Sequence, residues 1–286
     1  MLGLPNIALM GSSILITLRE GLEIALVLAI IIAYLRKTGA ANRVHAVWTG
    51  SALAAVASVI LGFVFFNAVG EFEGKWEQFI EGTLAFLAVA VLTWMIFWMR
   101  GNARGISSEL HRKVDEAIEK SGVALGLVAF IAVAREGFET VLFLMSAETV
   151  SASGSEVVVG GLIGLSISAV LGYLFVLGSD KVDLKRFFNW TGLLLILFAA
   201  GLFGKGFHEF REFFELEAAW YSTPLWDIES GSFASGWVHD FLKGLFGWSP
   251  HPERVRVVTY FAFLVPTLWF YFKGGAPAVK KLETVG

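Results

Sequence analysis

The sequence contains no cysteine and only five histidines. The absence of thiols excludes a disulfide scaffold, a haem-attachment motif, an iron–sulfur centre and a thiolate metal site, and composition leaves no mark of redox compartment. Charge is also scarce: Asp, Glu, Lys and Arg make up 16% of the chain, against about a quarter in a soluble domain. A net charge of −3 and the lack of any Lys/Arg-rich run argue against nucleic-acid binding. Residues 1–18 hold no Lys or Arg, so the first apolar stretch lacks the basic start of a cleaved signal peptide and reads as a retained span. What the chain has instead is apolar surface: 56% hydrophobic residues, 14% aromatic and a mean hydropathy of +0.69. With 31 Gly and 10 Trp, this composition suits an all-α integral membrane protein with closely packed helices and aromatic side chains at the interfaces.

A span needs about 20 mostly apolar residues. Seven stretches qualify, at 7–35, 46–69, 79–99, 122–147, 157–178, 187–209 and 255–272. The connections after spans 1, 3 and 5, together with the C-terminal tail, carry fourteen Lys and Arg, among them Arg36, Arg43, Arg104, Lys113, Lys181 and Lys280. Basic residues stay on the cytoplasmic side, which predicts a cytoplasmic-membrane protein with its N-terminus outside and its C-terminus inside. The acids lean the other way: fourteen of 25 Asp and Glu, from Glu71 to Glu253, fall near the outer face. Between spans 3 and 4, Ile106, Leu110, Val114 and Ala117 recur at helical spacing among charges, which predicts a short amphipathic helix on the inner surface. The 210–254 connection holds Trp220, Tyr221, Trp226, Trp237, Phe241, Phe246 and Trp248, too many aromatics for a free tether, and is expected to fold at the outer interface.

The chain also repeats itself. Arg19-Glu20-Gly21-Leu22-Glu23 in span 1 recurs as Arg135-Glu136-Gly137-Phe138-Glu139 in span 4. Span 2 matches span 5, with Gly50, Ser58, Leu61, Gly62 and Phe65 aligned on Gly160, Ser168, Leu171, Gly172 and Phe175. The small-residue stripes Gly50/Ala54/Ser58/Gly62 and Gly160/Gly164/Ser168/Gly172 let helix backbones approach closely. Three spans is an odd number, so the second copy is expected to be inverted. The domain reading is a first repeat over 7–100, an inverted second repeat over 122–209, the outer loop at 210–254 and a seventh span at 255–272.

Within each motif the carboxylates are three residues apart and share a helix face, with the arginine four before the second glutamate. Two antiparallel helices can thus bring four carboxylates and two guanidiniums into one small volume near the midplane. An ionisable group at the bilayer centre costs at least about 2.5–3.5 kcal/mol, so six require a compensating reason. Two arginines neutralise only two of the four glutamates, leaving an excess of negative charge that a cation or protons would balance. Oxygen ligands without a thiolate suit a hard cation. Gly21 and Gly137 leave room for a partner helix or an ion to approach the backbone.

A doubled Arg-Glu-Gly-x-Glu motif in spans 1 and 4 of a seven-span chain resembles the oxidase-dependent iron permeases, the fungal high-affinity ferric permeases and their bacterial EfeU-like relatives. The resemblance covers nearly the whole chain and includes Leu225-Trp226-Asp227 before span 7. It implies uptake of iron as transported substrate, with no further cofactor, Glu20, Glu23, Glu136 and Glu139 as metal ligands, and Arg19 and Arg135 as their supports. It also implies a separate extracytoplasmic partner that oxidises or delivers iron, since this chain carries no large extracytoplasmic domain. Topology adds a candidate entry path in Glu81, Glu148, His208 and Glu209 at the outer ends of spans 3, 4 and 6, with Asp227 at the mouth.

Two alternatives stand beside this reading. The cargo could be lead or manganese, because ligand type narrows the metal without naming it. A membrane-embedded metal-dependent enzyme or ferroxidase is the alternative of another class. Against it, His208-Glu209-Phe210-Arg211-Glu212 starts like a zincin helix without the second histidine, no G-x-S-x-G elbow occurs, and the motif helices lack the Glu-x-x-His of di-iron sites.

Overall fold

In lipid a chain must close its backbone hydrogen bonds internally, and a helix does so within one segment. The structure, a computed structural model, describes residues 7–70, 74–102, 106–150, 154–176, 184–216 and 219–273. Of the residues named above, Arg104, Lys181, Lys280 and Glu71 lie outside these ranges, as do residues 177–178 of the fifth expected span. The elements are α1 (Gly11–Lys37), a 3-10 turn at Ala41–Arg43, α2 (Val44–Gly70), α3 (Lys75–Asn102), α4 (Ile106–Lys120), α5 (Gly122–Val150), α6 (Gly154–Val176), α7 (Leu184–Phe213), α8 (Ala219–Ser222), α9 (Trp237–Phe246) and α10 (Arg254–Lys273). No strand of a sheet occurs among the described residues, where the β-pairing is limited to one isolated bridge between Pro224 and Glu253.

Five helices among the described residues are long and apolar enough to cross a membrane, through Ala41–Ala68, Lys75–Met99, Gly154–Leu174, Arg186–Phe213 and Arg254–Lys273. Helices α1 and α5 are as long, at 27 and 29 residues, but carry the motif arginines and glutamates near their centres. The observed helices differ from the expected spans by a few residues. Helix α3 begins four residues before its expected span and α7 ends four residues after it, its hydrogen bonding running on through Phe210–Phe213.

The bundle is built from pairs: α1 lies along α6, α2 along α5 and α3 along α7, with α10 packed on α7. Close approach at the small residues sets the first two pairs. A methyl group at Gly21 would run into Ser168 of α6, and one at Gly137 into Ser58 of α2. The register runs on through Gly164 against Thr17 and Gly172 against Ala25 in one pair, and Gly62 against Val141 in the other. These two pairs are therefore parallel, whereas α3 and α7, which meet through Gly82 and Phe210 at one end and Ile96 and Gly192 at the other, are antiparallel.

Two apolar clusters fill the bundle. One joins Leu15 and Ile16 of α1 to Leu142, Phe143 and Ala147 of α5, with Leu92 and Met95 of α3 and Leu195 to Leu202 of α7. The other joins Leu28, Ile31 and Leu35 of α1 to Leu125, Ala129 and Val133 of α5, with Val47 and Ala54 of α2. Early α1 meets late α5 and late α1 meets early α5, so these two helices are antiparallel. Between the clusters lie residues 19–23 of α1 and 136–139 of α5, which puts both charged motifs at the same level of the bundle.

The amphipathic helix expected after span 3 is α4. Val114 and Ala117 are buried in the second cluster, Tyr34 donates to Asp115 at 2.6 Å and stacks on His111, and Arg43 donates to the Ile118 carbonyl at 2.5 Å. The 210–254 connection is folded on itself. Trp226 stacks on Trp248 with ring centroids 5.4 Å apart, Trp226 Nε1 donates to the Ser249 carbonyl, and Trp248 Nε1 donates to the Phe233 carbonyl. Helix α9 ends in left-handed Gly247 and buries Leu245 in the first cluster.

Candidate metal centre

The antiparallel contact of α1 and α5 brings three carboxylates together. One oxygen each from Glu20, Glu136 and Glu139 lies within 4.8 Å of the others, and all three residues are buried. Glu20 also feels the charges of Glu23, Glu136 and Glu139. Glu23 is the partial exception among the four expected ligands. It is one helical turn further along α1, is not grouped with the other three, and its Oε1 stands 3.1 Å from Arg19 Nη2.

Each of the four carboxyl groups has one buried oxygen that accepts no hydrogen bond: Oε2 of Glu20, Glu136 and Glu139, and Oε1 of Glu23. Glu23 Oε1 is offset by its ion pair with Arg19, which leaves Oε2 of Glu20, Glu136 and Glu139. Buried polar atoms are nearly always paired, so three such carboxylate oxygens in one locality are an exception that cation binding would explain. Desolvated carboxylates held close together repel, and a multivalent cation coordinated by the free oxygens relieves that repulsion.

The two arginines are not equivalent. Arg19 is buried, with 2% of its side chain exposed, and reaches Glu20 Oε1 at 3.2 Å and Glu23 at 3.1 Å. The same two nitrogens also donate to sulfur, Nη1 to Met95 Sδ at 3.3 Å and Nη2 to Met99 Sδ at 2.9 Å. Arg135 is 43% exposed; its Nε donates to Glu139 Oε1 at 3.1 Å and lies 3.8 Å from Glu136. Its guanidinium sits over Trp98 and Trp94, 5.3 and 5.9 Å from the ring centroids. The four α3 side chains were not among the expected site residues. The signal that could have found them is the repeated Trp-Met pair at 94–95 and 98–99, spaced one helical turn apart.

The expected entry residues fall into three separate places. Glu81 accepts from Lys205 Nζ at 2.8 Å, and the same ammonium lies 3.6 Å from Glu209. Glu148, near the end of α5, lies beside Gly154 at the start of α6 and within the field of Glu81. His208 belongs to a different network, with Nδ1 at 3.0 Å from Glu253 and Nε2 at 3.5 Å from Glu212, while Arg211 donates to Glu253 at 2.7 Å. Asp227 joins neither, and pairs with His251 at 2.5 Å on an exposed part of the 210–254 connection. Sequence reading missed Lys205 and Glu253, because partners on other helices leave no local spacing to detect.

A helical bundle with five described helices long and apolar enough to cross a membrane is that of a multi-pass membrane protein. The chain matches the Iron permease FTR1 family over residues 10–270 and belongs to that family. It is 35% identical over 259 residues to the ferrous iron permease EfeU of Escherichia coli O157:H7, covering 89% of this chain and 92% of that protein. It is 34% identical over 263 residues to the ferrous iron permease EfeU of Yersinia pestis, covering 90% and 92%. A third relative, at 35% identity, is the putative inactive ferrous iron permease EfeU of Escherichia coli K12. No solved structure matches the chain significantly. The protein is a transporter and not an enzyme.

Proposed function

We propose that the protein imports iron ions across the cytoplasmic membrane, and that Glu20, Glu136, Glu139 and Glu23 hold the ion midway while Arg19 and Arg135 support them. The observation that carries this reading is the convergence of Glu20, Glu136 and Glu139 with unpaired buried oxygens between the two apolar clusters. The depth fits: Glu20 is the tenth residue of 27 in α1 and Glu136 the fifteenth of 29 in α5.

In this reading α1, α2, α3, α5, α6, α7 and α10 are seven spans, N-terminus outside and C-terminus inside, and the first three and the next three form inverted repeats. The support is reciprocal packing: Gly21 of motif one meets Ser168 of α6, and Gly137 of motif two meets Ser58 of α2, the serines being aligned positions of the two halves. Rocking of one half against the other would open the carboxylates first outward and then inward. Glu81, Glu148 and Glu209 lie at the end of the bundle where α5 and α7 finish and would pass the ion down. Glu148 stands nine residues beyond Glu139, about 13 Å along a helix. Iron is the cargo and no resident cofactor is required. A separate extracytoplasmic protein would oxidise or deliver it.

The test is radioactive iron uptake into proteoliposomes holding the purified chain, with manganese and lead ions as competitors. Iron uptake that the competitors reduce only weakly and that Glu20→Ala/Glu136→Ala removes is the expected result. Uptake of manganese or lead in preference to iron would overturn the cargo assignment. The same assay measures the arginines. Arg19→Lys should lower the uptake rate about tenfold or more, because one ammonium cannot span Glu20 and Glu23 as the planar guanidinium does.

A further inference from the structure

One helix grips both motif arginines, and it does so with two different chemistries. Near the end of α3, Trp94 and Trp98 form one i,i+4 pair, and Met95 and Met99 form another, one position round the helix. The thioether pair closes on Arg19, whose Nη1 and Nη2 each meet one carboxylate and one sulfur. The indole pair, with centroids 6.0 Å apart and planes inclined by 27°, lies under Arg135.

These grips differ in what they permit. Thioether sulfur is a weak, uncharged acceptor, so Met95 and Met99 orient Arg19 but cannot replace its carboxylates. Buried at 2% exposure, Arg19 has nowhere else to go. An indole face attracts a guanidinium without consuming a carboxylate oxygen, and Arg135 already rests against two of them while donating a single short bond to Glu139. A cation that takes Glu139 through both oxygens needs the one Arg135 holds.

We propose that α3 positions both motif arginines, with Arg19 as the fixed counter-charge and Arg135 as the one that yields, leaving Glu139 for the Trp94–Trp98 faces when a cation enters. This rests on the reading of the carboxylate cluster as the transport site. Trp94, Trp98, Met95 and Met99 are positioning residues: they act on the ion only through the arginines.

The experiment measures concentration-dependent iron uptake into proteoliposomes, normalised to transporter that elutes as a single species on size exclusion. In Trp94→Leu/Trp98→Leu the maximal rate should fall about tenfold with KM changed less than about twofold, because binding survives while the displaced guanidinium loses its seat. Trp94→Phe/Trp98→Phe keeps two aromatic faces and should retain at least about half the rate. In Met95→Leu/Met99→Leu, of similar volume, KM should rise about tenfold, since Arg19 no longer holds Glu20 and Glu23 in place. If the double leucine variant does not fold, Trp98→Leu alone carries the test, with a loss of about threefold in maximal rate. A leucine variant equal to the parent, or a phenylalanine pair as slow as the leucine pair, overturns the proposal. Uptake equal in the parent and in Glu136→Ala overturns the site reading and this proposal together, whereas uptake that needs Glu136 but ignores Trp94 and Trp98 overturns this proposal alone.

Discussion

Glu136→Ala should abolish iron uptake, lowering the rate per folded transporter by more than about a hundredfold, because loss of a residue merely supporting a metal ligand already costs about 10- to 100-fold. Glu136 belongs to the cluster with Glu20 and Glu139, lies on the middle turn of α5, is buried, and has an Oε2 that accepts no hydrogen bond. Glu20→Ala and Glu139→Ala should behave alike. Glu23→Ala should be milder, since Glu23 stands apart from the triad and engages Arg19. Glu136 has no short bond to an arginine, the nearest being Arg135 Nε at 3.8 Å, so its removal chiefly relieves repulsion. Glu136→Ala should therefore remain in the membrane at parental levels and unfold at an unchanged or higher temperature, whereas Glu20→Ala and Glu23→Ala each take a partner from buried Arg19 and should unfold at a lower one. Uptake rates and thermal unfolding of the same preparations check both halves of this expectation. A Glu136→Ala protein with parental uptake would remove Glu136 from the path.

The second large effect lies in the backbone approach beside the motifs. Gly21→Ala places a methyl group on Ser168, and Gly137→Ala places one on Ser58, at positions where the helices leave no space. Overpacking of this kind costs about 1–3 kcal/mol, and a bulkier valine should cost more and prevent assembly of the α1–α6 or α2–α5 pair. Because the obstacle is Ser58 alone at Gly137 and chiefly Ser168, with Leu165 close by, at Gly21, Gly137→Ala/Ser58→Gly should recover most of the loss and Gly21→Ala/Ser168→Gly a large part of it. Monodisperse yield and unfolding temperature in detergent measure this. Parental stability in Gly21→Ala would mean that the close approach of α1 and α6 is not required.

The parts of this molecule that sequence made legible are those written along one helix. Hydropathy marks α2, α3, α6, α7 and α10, and the amphipathic spacing of Leu110, Val114 and Ala117 marks α4. The motif spacing places two acids on one face of α1 and two on one face of α5, and Gly21 and Gly137 beside them foretell a close neighbour, which proves to be a serine of another helix in each case.

What was not legible depends on how one helix is rotated against another. Nothing along α1 or α5 says that both arginines meet α3, or that one finds thioethers and the other indoles, because hydropathy does not fix the rotation of α3 between them. Lys205 reads in sequence as one more basic residue near a loop, yet it is paired with Glu81 across the α3–α7 contact. His208 reads as a neighbour of Glu209, yet successive helical residues point about 100° apart, and it turns to Glu253 in the segment before α10.

The measurement that bears most directly on the central claim is location of the ion itself, by anomalous scattering at the iron edge from crystals of the protein grown with iron. The account predicts an iron peak between α1 and α5, with oxygens of Glu20, Glu136 and Glu139 at about 2.0–2.2 Å, the range carboxylates take around a first-row divalent metal. Iron found only beside Glu81 and Glu209, with none among the motif carboxylates when the protein is saturated, would contradict it.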